Sequence, residues 1–449
     1  MIKNKTIIFF FIFILVNNCS FDSKTGIWDS EEEEKVRISK LEKKQREIIE
    51  TKKIYSSENI YADEVPLKKK IILSKPIRNS SWEMSGLNHK NFVGNIYLSG
   101  IDNIFLKKKI GKNKFLVSSS ITLILSYEDN LIFSDDRGII YNIKKNGKVN
   151  WKQNIYKKTY KKIYKSLTLA IYNNNIYIAD NIGFIYAINL DTGKLIWIKN
   201  HGISIKSNIK IFDNKIFLID QDNRIFAVNT MNGEKIWEIL TISSFIKSQN
   251  LLSLAISKKG NLFAINSSAD LFKIDTNIGN VFWTKDISSS ALSDATDFFR
   301  SSEIVSIDNE IIFSTDSSFF SFNVNNSSLN WEKKVSSVGA PIVDKNNIFI
   351  VSSNGYFIIL EKDTGKTISS TNILKILKKR KQETKVSGFV MGSGKIYAVT
   401  SNGYLIVCSA SLGKAEYFKK IGDPILSNPI ISNGELYILT QNSKIIGFK

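Results

Sequence analysis

The residue whose position most clearly indicates chemistry is Cys19, a thiol that follows a short apolar run near the N-terminus. Lys3 and Lys5 supply positive charge, Ile7–Val16 form a ten-residue apolar segment, and a polar stretch carrying Cys19 follows. These are the three parts of a secretory signal, and ten apolar residues are too few to span a bilayer, which takes about twenty. We predict that residues 1–18 are a cleaved signal peptide.

The thiol of Cys19 is predicted to be a lipid attachment site, because Val16-Asn17-Asn18-Cys19 resembles the lipobox of bacterial lipoproteins, with Asn18 where a small residue is usual. The only other cysteine is Cys408, so no disulfide framework competes for Cys19. Each buried CH₂ of an acyl chain contributes roughly 0.8 kcal/mol to membrane binding. Ser20, which follows instead of Asp, implies by this resemblance the outer membrane.

Few other residues have the types or spacing that catalysis requires. His89 and His201 are the only histidines, and neither lies in a cluster with metal-ligand spacing. No phosphate-binding glycine loop, nucleophile elbow or dinucleotide fingerprint occurs. The sequence therefore predicts no catalytic, metal-binding or cofactor-binding residues.

The formal charge of +20, from 62 Lys and Arg against 42 Asp and Glu, would suit nucleic acid or a membrane surface. Lysines are abundant throughout the chain, however, and are not gathered into one tract as in nucleic-acid-binding proteins. We predict no nucleic-acid partner. Two basic clusters, Lys107-Lys108-Lys109 and Lys378-Lys379-Arg380-Lys381, leave open an alternative function as a binder of phosphorylated glycan or lipopolysaccharide.

Residues 19–80 have the composition of a spacer. The acidic run Glu31–Glu34 leads into a Lys/Glu-rich stretch that ends near Lys53, and its apolar positions form only a thin helical stripe. We predict that this region is a charged tether that lets a folded body stand away from the membrane.

One pattern recurs through the rest of the chain, and residues 176–197 are its best copy. Alternating apolar residues mark three strands. The turn before the last strand is Asp191-Thr192-Gly193-Lys194, in which Gly193 can take the positive φ that a tight hairpin requires. The pattern indicates antiparallel hairpins.

An aromatic residue four positions after the turn glycine marks the register of each copy. Successive register positions lie 38 to 48 residues apart, which is the length of a four-stranded propeller blade. A large aromatic side chain at such a site is expected to pack between blades, with a partner for its N–H. The register positions are Trp151, Trp197, Trp237, Trp283, Trp331, Ser369 and Tyr417.

The final copy, Leu436–Phe448, ends before its outer strand, and Trp82 is predicted to mark that missing strand. Pairing strands from both termini closes the ring and removes two exposed sheet edges. Residues 82–449 number 368, or 46 for each of eight blades. The predicted fold is therefore all-β: an eight-bladed β-propeller over residues 81–449, with four-stranded antiparallel blades and a ring closed by both termini.

The repeat, with Tyr186-Ala187 before the Asp191 turn and Trp197 after it, resembles that of pyrroloquinoline-quinone-type propellers. An eight-bladed ring behind a lipoprotein signal and a tether is similar to the BamB family of the outer-membrane β-barrel assembly machinery. This resemblance implies a scaffold without enzymatic activity or cofactor, anchored to the outer membrane and facing the periplasm. The implied partners are the barrel subunit BamA and unfolded outer-membrane proteins.

The family also carries a Leu-x-Asp-x-Asp segment after the fifth register position, which is Trp283 when Trp82 is counted as the first. Leu292 and Asp294 match it, and Asp297 is displaced by one residue. The resemblance implies that these three residues bind the partner, with ordinary turn residues as the alternative. A companion Leu-Arg-Gly segment has no counterpart at Lys247–Leu252.

A quinone-dependent dehydrogenase is the alternative within the same repeat class. Such enzymes are typically longer, and many carry an adjacent cysteine pair beside the cofactor, whereas Cys408 stands alone. The residues favour a scaffold.

Overall fold

The computed structural model describes residues 20–21, 28–29, 61, 63–113, 123–160, 162–241, 251–287, 301–381 and 384–449. The chain divides into two compact units, residues 1–60 and 61–449. In the first unit, β1 (Ser20–Phe21) pairs antiparallel with β2 (Trp28–Asp29). A search of the described helices finds no membrane-spanning candidate.

The second unit is an eight-bladed propeller, which confirms the predicted fold class. Its described residues form eight antiparallel sheets of four strands. We number the blades 1 to 8 along the chain and call the four strands of a blade A to D. The strands are, for blade 1, β4 (Leu125–Tyr127), β5 (Asn130–Ser134), β6 (Ile140–Lys144) and β7 (Val149–Gln153); for blade 2, β8 (Leu167–Tyr172), β9 (Asn175–Asp180), β10 (Phe184–Asn189) and β11 (Leu195–Asn200); for blade 3, β12 (Lys210–Phe212), β13 (Lys215–Ile219), β14 (Ile225–Asn229) and β15 (Lys235–Ile239); for blade 4, β16 (Leu254–Ile256), β17 (Asn261–Ile265), β18 (Asp270–Asp275) and β19 (Val281–Asp286).

The remaining blades follow the same order. They are, for blade 5, β20 (Val305–Ile307), β21 (Glu310–Ser314), β22 (Phe319–Asn323) and β23 (Leu329–Lys333); for blade 6, β24 (Ile342–Asp344), β25 (Asn347–Val351), β26 (Tyr356–Glu361) and β27 (Thr367–Asn372); for blade 7, β28 (Val386–Gly392), β29 (Lys395–Thr400), β30 (Tyr404–Ser409) and β31 (Lys414–Lys420); for blade 8, β32 (Ile430–Ser432), β33 (Glu435–Leu439), β34 (Lys444–Phe448) and β3 (Ile104–Lys109). Short 3-10 helices occupy Lys158–Tyr160 and Ile373–Lys381, the latter kinked at Lys378.

Burial explains the strand sequences. A strands of successive blades contact one another and therefore line the ring axis. B and C strands are buried on both faces because the blades stack face to face, so β10 is an almost continuous apolar run. D strands lie at the rim and are largely exposed, as in β11.

The ring is closed by strands from both ends of the chain, as predicted, but the closing strand is β3 and not the segment around Trp82. Leu106 of β3 pairs with Gly447 beside a register shift, as Trp197 pairs with Ala187 in blade 2. Leu106 therefore occupies the register position that was assigned to Trp82. Trp82 is buried and forms a bridge with Ser126 of the innermost strand of blade 1.

The two ends of the ring differ in the connections that they carry. Because the four strands of a blade alternate in direction, the A–B and C–D turns lie at one end, which we call the turn end. The B–C turns and the D–A connections between blades lie at the other end, which we call the loop end.

The folded unit begins earlier than residue 81, because residues from Tyr61 onward belong to it. Tyr61 packs edge-on against Tyr356 at the loop end of blade 6, with ring centroids 5.7 Å apart. Val65 then exchanges two backbone hydrogen bonds of 2.9 Å with Ser370 of β27. From Tyr61 to Ile71, the described residues of the predicted tether therefore run along the rim from the loop end of blade 6 to the turn end, where Ile71 donates to Ser411 of blade 7.

We expect Leu106→Ala to destabilise the ring, since this buried side chain replaces the register tryptophan at the closing blade. Leu-to-Ala changes in cores lower the free energy of unfolding by about 2–5 kcal/mol. Thermal unfolding followed by circular dichroism checks this, with the exposed neighbour Lys107→Ala as the matched control. Equal melting temperatures for the two variants would show that β3 does not close the ring.

Candidate functional site

Five register tryptophans, one in each of blades 1 to 5, join their blade to the next one. Trp197 donates its indole N–H to the carbonyl oxygen of Thr230 at 2.9 Å, and its ring packs on Gly233 of blade 3. A Cβ on Gly233 would lie 2.6 Å from that ring, and φ there is +70°, so glycine is required on both counts. The same N–H to carbonyl bond, 2.8–3.1 Å long, is made by Trp151 to Leu190, Trp237 to Thr276, Trp283 to Val324 and Trp331 to Lys362.

Where the repeat lacks its glycine or its tryptophan, the substituted residues keep the same positions between blades. Ser327 keeps the positive φ, 58°, in the turn where glycine is absent. Ser369 faces Gly413, and Leu106 faces Gly147. Tyr417 is 37% exposed, because the C and D strands of blade 8 come from opposite ends of the chain and have no turn between them. Asn103 and Lys449 exchange backbone hydrogen bonds at this seam instead.

At the loop end, one side chain at the close of each B strand accepts hydrogen bonds from backbone N–H groups of the B–C turn. Asp180, for example, accepts from Ile182, Gly183 and Phe184 at 2.8–2.9 Å. The acceptors of blades 1 to 8 are Asp135, Asp180, Asp220, Asn266, Thr315, Ser352, Thr400 and Thr440.

Only blades 1 to 3 use a carboxylate at this position, and each carboxylate has a further partner. Arg137 donates to Asp135 at 2.6 Å, Tyr156 donates its hydroxyl to Asp180 at 2.5 Å, and the Nε2 atom of His201 lies 2.9 Å from Asp220. Burial raises the pKa of Asp180, and the hydrogen bonds that it accepts oppose this rise. These charges are internally satisfied and hold the loop end in shape.

The opposite mouth of the ring axis is closed by the chain itself. Residues 74–99, which we call the plug, hydrogen-bond to the A strand or the A–B turn of every blade. A segment bonded to A strands on all sides of the axis must cross the mouth. The plug contacts in blades 1 to 8 are Trp82–Ser126, Glu83–Ile171, Ser85–Lys210, His89–Ile256, Lys90–Ser306, Ser74–Asp344, Ile96–Ser393 and Ser99–Gly434.

The centre of the plug is held by fully buried polar side chains. Asn91 donates to the carbonyl oxygens of Leu254 and Ile304 at 2.9 and 2.7 Å, which joins blades 4 and 5. Lys210 donates to the carbonyl oxygen of Ser85 at 2.5 Å and to the Asn91 side chain. Burial lowers the pKa of Lys210 to about 8, opposed by Glu303.

His89 is also part of the plug, with its ring 5.2 Å from that of Phe212. Burial, followed by Lys90 and Lys210, lowers its pKa to about 4. The imidazole is therefore neutral at pH 7. In the described part of the chain, no three His, Cys, Asp or Glu residues lie close enough together to hold a metal ion.

The plug crosses the axial region at the turn end and bonds to all eight blades there, so the chain's own residues occupy this mouth. Cys408 is fully buried, and burial raises the pKa of its thiol, which keeps it unreactive. It is the only cysteine among the residues that the structure describes.

Several predicted site residues lie outside the described residues: Cys19, Leu292, Asp294 and Asp297. In sequence, the last three fall between β19 of blade 4 and β20 of blade 5. Of the basic clusters, Lys107, Lys108 and Lys109 lie on the exposed rim strand β3. Because side chains alternate along a strand, Lys108 points away from its two neighbours, and it donates to the carbonyl oxygen of Gly147.

The rim strands present open edges and apolar side chains. Leu195, Ile196 and Ile198 of β11 are 41–48% exposed, and Phe282 of β19 is 50% exposed. Within the described residues, β11 has no strand on its outer side. In blade 6 the outer strand is already paired, by Val65.

Comparison with known proteins places these features in context. The family model described as outer membrane protein assembly factor BamB matches residues 136–371, just over half of the chain. The solved structure of BamB from Moraxella catarrhalis is similar with a TM-score of 0.60 and 12% identity, over 77% of this chain and 100% of that one. No curated protein matches in sequence.

Quinoprotein enzymes share the same architecture. A quinohemoprotein alcohol dehydrogenase from Pseudomonas putida matches with a TM-score of 0.62 and 9% identity, over 83% of this chain and 80% of that one. One from Comamonas testosteroni matches with a TM-score of 0.61 and 10% identity, over 83% and 81%. At these identities the structural likeness shows the fold alone.

We expect the stability of the protein to rise between pH 8 and pH 10 because of Lys210. The folded state releases this proton near pH 8, whereas an unfolded lysine keeps it to about pH 10.4. The unfolded state binds more protons in that window, so stability rises with pH. Each unit of pKa difference is worth about 1.4 kcal/mol, so the gain approaches about 3 kcal/mol.

Melting temperatures of the wild type and Lys210→Met across this range measure the effect, with exposed Lys194→Met as the control. The difference between wild type and Lys210→Met isolates Lys210, because buried tyrosines such as Tyr156, whose pKa is raised by burial, affect both proteins equally. Parallel pH curves for wild type and Lys210→Met would contradict the burial of this ammonium group.

Proposed function

Since the chain belongs to the family described as outer membrane protein assembly factor BamB, we propose that it is a non-catalytic scaffold of the outer-membrane β-barrel assembly machinery. Its role in this proposal is to bind the barrel subunit BamA and to aid the insertion of outer-membrane proteins. The plug supports a binding role rather than a catalytic one, because the chain's own residues cross the axis at the turn end and bond to every blade there.

The main structural support for the scaffold role is the open edge of the rim strand β11. An exposed edge offers backbone N–H and C=O groups to an extended segment, which can add as a further strand. Exposed Leu195, Ile196 and Ile198 would cover the side chains of such a segment. The contact of Val65 with Ser370 is the same kind of pairing within the chain. Partners and clients that are rich in β-strands suit this edge.

We assign the contact with BamA to the D–A connection between blades 4 and 5, through Leu292, Asp294 and Asp297. The preceding strand β19 is fixed by Trp283, whose indole N–H donates to the carbonyl oxygen of Val324 in blade 5 at 3.1 Å. The connection thus leaves from a rigid junction between two blades, which suits a partner-binding loop.

The proposed location is the periplasmic side of the outer membrane. In this proposal residues 1–18 are removed, Cys19 is acylated, and residues 19–60 form the tether. The acyl chains would then hold the propeller at the membrane while the tether leaves it free to reach a partner.

Mild crosslinking in the native membrane followed by purification and mass spectrometry tests the partner. We expect recovery of BamA with the wild type and its loss with the combined change Leu292→Ala, Asp294→Ala and Asp297→Ala. The matched control changes Leu412, Asp191 and Asp363 to Ala, which are the same residue types, exposed at the turn end. BamA recovered equally with both variants would remove the assigned surface, and no BamA with the wild type would remove the assembly role.

The lipid anchor has its own test. We expect labelled palmitate to be incorporated into the wild type and not into Cys19→Ser, because Cys408 is fully buried and cannot accept the label. Incorporation into Cys19→Ser, or none into the wild type, would show that the protein is held by other means.

A further inference from the structure

The D–A connection from blade 1 to blade 2 carries an unneutralised basic surface. In the residues around its 3-10 helix, Lys157, Lys158 and Lys162 are exposed, and Ile163 beside them is 46% exposed. The ion pairs of the described residues include none of these three lysines. We call Lys157, Lys158, Lys162 and Ile163 the basic loop.

The base of this loop is fixed by buried contacts. Tyr156 donates its hydroxyl to Asp180, and its ring lies 6.4 Å from both Tyr160 and Phe184. Lys165, only 2% exposed, donates to the carbonyl oxygen of Tyr160, and its ammonium nitrogen lies 5.2 Å from the Tyr156 ring centroid. Lys165 therefore turns its charge inward, while the lysines of the basic loop are held outward.

The chain enters the propeller at the same end of the ring. Tyr61 accepts a hydrogen bond from Asn354 in the B–C turn of blade 6, which lies at the loop end. Cys19 precedes Tyr61 by 42 residues, a length that spans up to roughly 140 Å when extended. A membrane anchor at Cys19, which is part of the proposed function, would therefore be joined to the end of the ring that carries the basic loop.

We propose that the basic loop docks the propeller on an anionic lipid surface, with the loop end turned toward the membrane. Lysines attract anionic headgroups, and an exposed apolar side chain among them can enter the boundary between headgroups and acyl chains. An acidic protein surface would use the charge but would leave Ile163 without a role, so the lipid surface is the better fit. The inference goes beyond the scaffold role and does not depend on BamA.

The test uses the processed chain, beginning at residue 19 and carrying Cys19→Ser, with vesicles of phosphatidylcholine alone or mixed with phosphatidylglycerol. We expect sedimentation with the anionic vesicles only, weakening as salt is raised. Each lysine near an anionic surface strengthens binding roughly fivefold, so Lys157→Gln, Lys158→Gln and Lys162→Gln together should weaken it roughly a hundredfold. The matched control changes Lys144, Lys148 and Lys194, exposed at the turn end, to Gln.

A second readout reports orientation. With Cys19→Ser in place and Cys408 buried, a polarity-sensitive dye on Ile163→Cys should shift to the blue on anionic vesicles, and the same dye on Leu412→Cys at the turn end should not. Equal vesicle binding by the basic-loop variant and its control would overturn the proposal, as would no preference of the wild type for anionic vesicles. Neither outcome bears on recovery of BamA.

Discussion

The contact between a register tryptophan and the turn of the next blade is the interaction on which the ring depends. In four of the five junctions the indole fills a space that a turn glycine leaves open, and in all five its N–H donates to a carbonyl oxygen of the turn. Burial of the indole ring and the hydrogen bond of its N–H therefore stabilise the same junction between two blades. Neighbouring blades are thus fixed at their rim, and their faces are buried between them.

This repetition is why the architecture was predictable from sequence. Trp197 and Gly233 show one solution to a packing problem that recurs from blade to blade, so the spacing gives the blade length. The count of eight follows once the unfinished last copy is paired with a strand from the N-terminal side. The closing strand was misassigned because Leu106 fills the aromatic position, and because its sheet partner, β34, is remote in sequence. Trp82 is a buried residue of the plug, where it pairs with Ser126 of blade 1, and not part of the closing strand.

The features that sequence analysis missed are those that do not repeat. The plug joins eight blades through single contacts, such as Asn91 with Leu254 and Ile304, that have no period along the chain. Asp180 lies between two of the strands predicted within residues 176–197, but its partner Tyr156 lies in the preceding connection, outside the repeat copy. The lysines of the basic loop do not stand out in the sequence, because lysine is abundant throughout the chain. The structure distinguishes them from the nearby Lys165, whose side chain is buried while theirs are exposed.

The closure of blade 8 sets an order of events, because the chain is synthesised from its N-terminus. Ile104 pairs with Phe448, so the first rim strand to arrive finds its partner only when almost every later residue has followed. Contacts between such distant residues slow folding. Strand β3 must therefore remain without its sheet partner until β34 has been synthesised. For this protein, closing of the ring therefore waits for the strands of blade 8.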